Sequence, residues 1–367
     1  MMPIFDIAII GGGIMGCGAA LRLADGGMRP IILEQGDIGQ GASGVNAGTL
    51  SMQIKRVKLM PYAIRGHEEW QHMGDAVGFH KTGGYTLAFN DREAELLHDR
   101  MSMKKEAGAN ISFVSPKQLN EFEPHLAGKV IAASYCPDDG YANSSLTGQY
   151  YRKKIDENGI NFIEGFKVTN IRSTSEGYEI ASNGRTVVAS RILIACGGWS
   201  KHIAAMLGVE LPIRARINTV SVTERAPRLI SGVIGHATGL LTMKQKENGT
   251  ILIGGGWQGK GRPEEGRGQV SVDSLVPNLQ LAKFVLPALS NIRIVRSWTG
   301  FEANVPDFYP LAGALPNRDN AFILGCVRGG FTIGPYISKL MGDYILGKEP
   351  EMPLFDPARK MEEGKLI

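Results

Sequence analysis

The first apolar positions of the chain fall in two short, uninterrupted runs. Ile7-Ala8-Ile9-Ile10 follows Asp6 and predicts a strand buried on both faces. Gly11-Gly12-Gly13-Ile14-Met15-Gly16 comes directly after it, and Cys17 to Ala24 is rich in small residues and helix formers. The order predicted is strand, tight turn, helix. Pro30-Ile31-Ile32-Leu33 then predicts a second strand, which ends at Glu34. Farther along, the pattern predicts a helix over residues 60 to 75 with Pro61 in its first turn, a strand over 83 to 89 and a polar helix over 91 to 107. Strands and turns follow over 124 to 141, a helix over 146 to 156 and extended segments over 161 to 164 and 167 to 171. A strand over 190 to 195 runs into Cys196-Gly197-Gly198-Trp199. Alternation marks 213 to 260 as strands, most clearly 219 to 223 and 250 to 254. The strand around 321 to 325 leads to an amphipathic helix ending near Leu346, with residues 330 to 334 expected as its entrance and Pro335 in its first turn.

Glycine placement gives the first turn its chemistry. Gly11 allows the sharp bend, Gly13 lets the backbone approach a pyrophosphate, and Gly16 lets the helix pack closely on the sheet. Ile14 and Met15 open that helix, whose free N–H groups and positive dipole end face the phosphates. Glu34, with Gln35 beside it, stands where a carboxylate accepts hydrogen bonds from a ribose. This is a dinucleotide site. Gly254-Gly255-Gly256 is no second one, because residues 258 to 268 are polar and glycine-rich rather than helical. No nicotinamide site is expected.

Composition narrows the field without naming a function. The 367 residues suit two closely packed domains, and 43% apolar with 21% charged content is ordinary for a soluble globular protein. A net charge of +4 with no basic, aromatic-interleaved cluster gives nucleic-acid binding no support. No uncharged run is long enough to span a bilayer. Cys17, Cys136, Cys196 and Cys326 lie far apart in sequence and match no zinc, iron–sulfur or redox spacing, so reduced thiols in a cytoplasmic protein are expected. His67 and His72 are five residues apart, about 140° around a helix, which disfavours a shared metal. No metal site is expected.

After Glu34 the chain turns through Gly39-Gln40-Gly41-Ala42-Ser43-Gly44-Val45-Asn46-Ala47-Gly48-Thr49-Leu50-Ser51 instead of continuing with strand–helix units. Together with the glycine turn, this segment resembles the N-terminal FAD signature of the D-amino-acid-oxidase-type flavoproteins. The resemblance extends through Val168, the strand ending before Gly197, and Cys326-Val327-Arg328-Gly329-Gly330-Phe331-Thr332-Ile333. It implies an α/β fold: a Rossmann-like FAD-binding domain with a discontinuous, mostly antiparallel β-sheet substrate domain. The implied boundaries are 1–80, 146–215 and 318–367 for FAD, and 81–145 with 216–317 for substrate.

The resemblance also implies roles. FAD is held without a covalent bond, with Ser43 by the pyrophosphate, Asn46, Ala47 and Gly48 beside the isoalloxazine, and Leu50 among the cofactor-binding residues. Val168 packs by the adenine, Gly197 and Gly198 lie over the pyrophosphate, and Trp199 is a further cofactor-binding residue. Gly330, Phe331, Thr332 and Ile333 form the second FAD segment, where a helix N-terminus meets the flavin. Cys326 is expected to be an ordinary buried strand cysteine. Hydride passes from the carbon next to nitrogen to flavin N5, and water hydrolyses the imine.

Many relatives place a carboxylate-clamping arginine at the position of Glu302; this chain does not. Glu302 favours a cationic group on the substrate, and Arg328 is the candidate clamp for its carboxylate. Val45 to Arg56 most resembles the β subunits of heteromeric opine oxidoreductases, related to proline and hydroxyproline dehydrogenase subunits. That implies an opine such as octopine or nopaline, a partner subunit with further redox centres, and the option of FMN at the subunit boundary. The alternatives are a stand-alone glycine, sarcosine or D-amino-acid oxidase, a proline or hydroxyproline dehydrogenase subunit, and a non-catalytic flavin-binding subunit.

Overall fold

A computed structural model describes residues 4–364. The apolar runs form the centre of a six-stranded sheet, in the order Asn161–Ile163, Pro30–Leu33, Ile7–Ile10, Ile192–Ile194, Ala321–Gly325 and Leu311–Ala314. All neighbours are parallel except the last pair. Ile9 faces Leu193 across the ladder, and every residue of Ile7–Ile10 is buried. Continuous burial on both faces is why these strands carry no alternation.

Four helices position the cavity described below. Helix α1 spans Ile14–Asp25, α2 Met60–Met73, α3 Asp91–Glu106 and α4 Gly330–Ile345. Pro61 occupies the first turn of α2, where no N–H is needed. Trp70, Leu23, Tyr336 and Ile337 meet in the apolar core on one face of the sheet. The other face is covered by the meander Asn170–Thr174, Gly177–Ser182 and Arg185–Ala189. That meander starts at Asn170, so residues 167 to 169, expected to be extended with it, precede the strand.

The second large layer is an eight-stranded sheet running from Ile294–Asn304 at one edge to Ser112–Val114 at the other. It is antiparallel except where Val233–His236 lies parallel to Gly84–Ala88. A small sheet of Thr49–Leu50, Gly140–Tyr141 and His80–Lys81 ties the segment after the glycine loop to this layer. The strand Leu311–Ala314 pairs on the six-stranded sheet, so that sheet draws on chain from before residue 318.

One expectation needs correction. Helix α4 begins at Gly330, so residues 330 to 334 are helical and Pro335 lies inside the helix. A proline there cannot donate to the carbonyl four residues back, which is that of Phe331. The Trp70 indole fills the gap, with Nε1 donating to Phe331 O at 3.2 Å and Thr332 O at 3.1 Å. Its ring also packs on Phe331, centroids 4.5 Å apart. Trp70→Phe removes that donor from a fully buried position, and we expect it to lower unfolding free energy by about 1–3 kcal/mol. A urea midpoint equal to wild type would contradict this.

Candidate active site

A cavity of about 1140 Å³ runs from the end of the Pro30–Leu33 strand, past the glycine turn, to the N-terminus of α4 and on to α3. At the glycine turn, Gly11 has φ +110°, and a Cβ there would stand 2.6 Å from Ala195 O. Gly16 does not line the cavity; a Cβ on it would strike the carbonyl of Gly11, so it is needed for the helix to seat on the turn. Ser43 Oγ accepts from Ile14 N at 3.0 Å, which brings the second loop onto the first turn of α1. Glu34 accepts from Gly12 N at 2.7 Å and Gly36 N at 2.8 Å, two of the several lone-pair positions of a carboxylate.

Most residues expected at the cofactor share this cavity. Gly11, Gly13, Ile14, Met15, Glu34, Gln35, Ser43, Asn46, Ala47 and Gly48 line it from the first two segments. Val168, Gly197, Gly198, Trp199, Gly330 and Phe331 line it from the later ones. Leu50, Thr332 and Ile333 do not; all three are fully buried behind it, in the packing that fixes the loop and the helix. Asn46 shapes its own loop. Its Nδ2 donates to Ala42 O and Ser43 O, and its Oδ1 accepts from Gly48 N at 2.7 Å. Trp298 Nε1 donates to Val45 O at 2.7 Å and ties that loop to the eight-stranded sheet.

Cys326 is buried as expected, but it does not lie within its strand. It lies just past the strand Ala321–Gly325 in a left-handed turn, with φ 56°, and lines the cavity. Cys196 and Cys326 are within electrostatic reach of each other, and Ser200 hydrogen-bonds near both. Burial pushes both thiols up to about 12, which keeps them protonated and poorly nucleophilic. All four cysteines are free thiols.

The α4 end holds the charged groups. Gly329, the residue before α4, adopts φ 67° and its peptide is gripped from both sides. Glu302 Oε1 accepts from Gly329 N at 2.9 Å, and Lys55 Nζ donates to Gly329 O at 2.9 Å. Glu302 Oε2 accepts from Asn218 Nδ2 at 2.8 Å, and Asn218 Oδ1 accepts from Gln258. Arg328 lines the same end; burial lowers its basicity and the charge of Glu302 opposes that. Burial likewise brings Lys55 down to about 8 despite the favourable fields of Glu302 and Asp139. The chain preceding Lys55 is held by Asp139, which accepts from Met52 N, Ser51 Oγ and Gln53 Nε2.

Several residues of this wall escaped the sequence reading, among them Lys55, Lys104, Arg100, Asn218 and Thr219. One signal was available: Leu97, Met101 and Lys104 recur at helical spacing on the buried face of α3, so a lysine occupies a core position. Thr219 Oγ1 is buried on the cavity wall and, among the described residues, lacks a hydrogen-bond partner. An orphaned hydroxyl, the open N–H groups of two helix ends and an elongated cavity fit a dinucleotide with a ring at the α4 end.

Lys244 is a third buried lysine, close to this wall but not part of it. Its Nζ donates to Thr49 Oγ1, and burial brings it down to about 7. Below about pH 7 the folded state carries the whole cost of burying this ammonium, a cost that disappears as pH rises towards 10.5. Lys244→Met is therefore expected to gain stability over wild type at pH 6 and to lose that advantage by about pH 10. Urea midpoints at both values test it; a pH-independent difference would exclude the sign.

The family model described as FAD dependent oxidoreductase matches residues 6–344. The chain belongs to this family. It is an FAD-dependent oxidoreductase. An opine oxidase subunit of Rhizobium meliloti is 27% identical over 345 residues, covering 88% of this chain and 89% of the relative. Glycine oxidase of Geobacillus kaustophilus is also 27% identical, over 363 residues and 95% of each chain. The crystal structure of glycine oxidase from Geobacillus kaustophilus superposes with a TM-score of 0.86 at 25% identity, covering 97% of this chain and 99% of that one. L-proline dehydrogenase from P. horikoshii gives 0.87 at 23% identity, covering 97% and 98%, a likeness of fold. The expected fold class is thus borne out. Among the described residues no helix is long and apolar enough to cross a membrane.

Proposed function

We propose that the enzyme oxidises the C–N bond of an N-alkylated amino acid of the opine type, as the catalytic subunit of a heteromeric dehydrogenase. The observation carrying this reading is the Arg328–Glu302–Lys55 group at the α4 end of the cavity. Arg328 offers a planar fork to the substrate carboxylate. Glu302 spends two of its lone-pair positions on Gly329 and Asn218 and keeps the others for a substrate cation, a guanidinium or a protonated amine. Holding the Gly329 peptide rigid also fixes the direction in which the first N–H groups of α4 point.

FAD, when bound, supplies the two-electron acceptor for removing hydride from the carbon next to nitrogen. In this reading Ser43, Gly13 and the first turn of α1 hold its pyrophosphate, Glu34 its ribose, and Gly330 with Phe331 its ring, all without a covalent bond. A partner subunit takes the electrons onward, and FMN at the boundary with it is part of the same proposal. The likeness to the opine oxidase subunit supports this reading.

The test is oxidation of arginine-derived and neutral opines by the purified chain, with an artificial dye and with oxygen as acceptors. Dye reduction with little hydrogen peroxide is expected. Glu302→Gln is expected to cut the preference for arginine-derived over neutral opines by about tenfold, or ~1.4 kcal/mol. Stoichiometric peroxide from glycine or sarcosine would favour a stand-alone oxidase instead.

A further inference from the structure

Beyond the α4 end, the cavity reaches a wall formed by α3 and by the turn from Gln53 to Lys55, and this wall is cationic. Lys104 projects from the buried face of α3 and is 5% exposed. Its Nζ donates to Gln53 O, and among the described residues it has no carboxylate partner. Lys55 is 4% exposed and, among the described residues, donates only to Gly329 O. Each ammonium has three donors, so two on each remain for something else. Arg100, one turn before Lys104, lines the same wall and donates to Ala237 O at 2.9 Å.

Among the described residues, Lys55 and Lys104 outnumber the one acid they share. Asp139 is the acid that acts on both lysines, and its oxygens are taken up by Ser51, Met52 and Gln53. Glu302 compensates Lys55 and Arg328 together. His236, also on the cavity, faces Glu93 at 3.5 Å, and Arg56 adds a further cation. Burying an ammonium whose charge is only partly compensated is costly, and a ligand carboxylate lowers that cost through charge-assisted hydrogen bonds. Lys244 is equally buried but does not line the cavity, and its ammonium donates to Thr49 Oγ1.

We propose that Lys104 and Lys55 form a second carboxylate subsite, taking the distal carboxylate of a substrate that bears carboxylates on both sides of its amine. The position of the amine between them rests on the reaction proposed above; the subsite itself does not. Arg328 then takes the carboxylate on the oxidised side. Glycine and N-methylglycine leave the subsite without an anion.

Burial, with repulsion from Arg100 and Lys55, brings Lys104 down to about 7, and Lys55 lies at about 8. A carboxylate stabilises the protonated forms, so binding above these values must draw protons from solution. The dicarboxylate advantage is therefore present at low pH and falls as pH rises past about 8.

The test uses FAD-loaded protein and thioether analogues, in which sulfur replaces the amine and no turnover occurs. Thiodiacetate and its homologues with one and two added methylenes are compared with methylthioacetate by calorimetry in two buffers of different ionisation enthalpy. The best dicarboxylate is expected to bind at least about tenfold more tightly than the monocarboxylate, with proton uptake near pH 8. Lys104→Met is expected to reduce that ratio below about threefold, and Lys104→Arg to keep it. A wild-type ratio near one, or a ratio unchanged in Lys104→Met, overturns the subsite. If that variant does not fold, a wild-type ratio constant between about pH 6 and pH 10 does so. Because the probes are not oxidised, failure of every amine to reduce the flavin would overturn the reaction and not this result.

Discussion

Gly11→Ala is expected to yield protein that purifies without FAD. The position has φ +110°, a conformation that side chains rarely adopt. An added Cβ would stand 2.6 Å from Ala195 O, 2.8 Å from Ala195 C and 2.9 Å from Cys196 Cα, all backbone atoms of the neighbouring strand end. The turn must therefore open, and it carries both the first N–H groups of α1 and the Gly12 N–H that holds Glu34. Backbone strain of this kind costs about 1–3 kcal/mol, and displaced phosphate donors add to it, so affinity for FAD should fall at least about a hundredfold. Gly128→Ala is the control, because nothing lies within 4 Å of its Cβ position and its φ is not positive. Flavin-to-protein absorbance and FAD titration of the stripped protein measure the effect. Wild-type occupancy in Gly11→Ala would contradict the placement of the pyrophosphate.

Arg328→Met is expected to lower kcat/KM about a hundredfold to a thousandfold, the range for deleting one partner of a buried charged contact. Two losses combine. The substrate carboxylate loses its fork, and Glu302 loses the guanidinium whose field it shares. Arg328→Lys should recover only part, since an ammonium cannot supply two parallel donors in one plane. Steady-state dye reduction with an opine reads this directly. A change of less than about threefold would remove Arg328 from the carboxylate site.

The cofactor end was legible because its residues answer to local rules. Gly11, Gly16 and Glu34 stand at fixed offsets from a buried strand, and chain connectivity alone brings them together. The α4 start was less legible. A proline in a helix is usually read as its first turn, and only the distant Trp70, which supplies the missing hydrogen bond, lets Pro335 lie deeper. Glu302 was identified, but not its grip on Gly329, because residues 27 apart meet only through sheet packing. Lys104 was hidden for a different reason. It sits in a predominantly polar helix, where a lysine reads as solvated until the apolar neighbours Leu97 and Met101 show which face it shares. The meander over 170 to 189 is built from short, half-exposed strands whose polar outer residues dilute the alternation.

Anaerobic mixing of FAD-loaded protein with a panel of amines, followed by flavin absorbance, tests the proposed reaction at its first step. The panel holds octopine, nopaline, proline, glycine, N-methylglycine and D-alanine. Full bleaching by an opine is predicted, faster than by any other member. Faster bleaching by glycine or N-methylglycine, or no bleaching by an opine, would contradict the proposed substrate class.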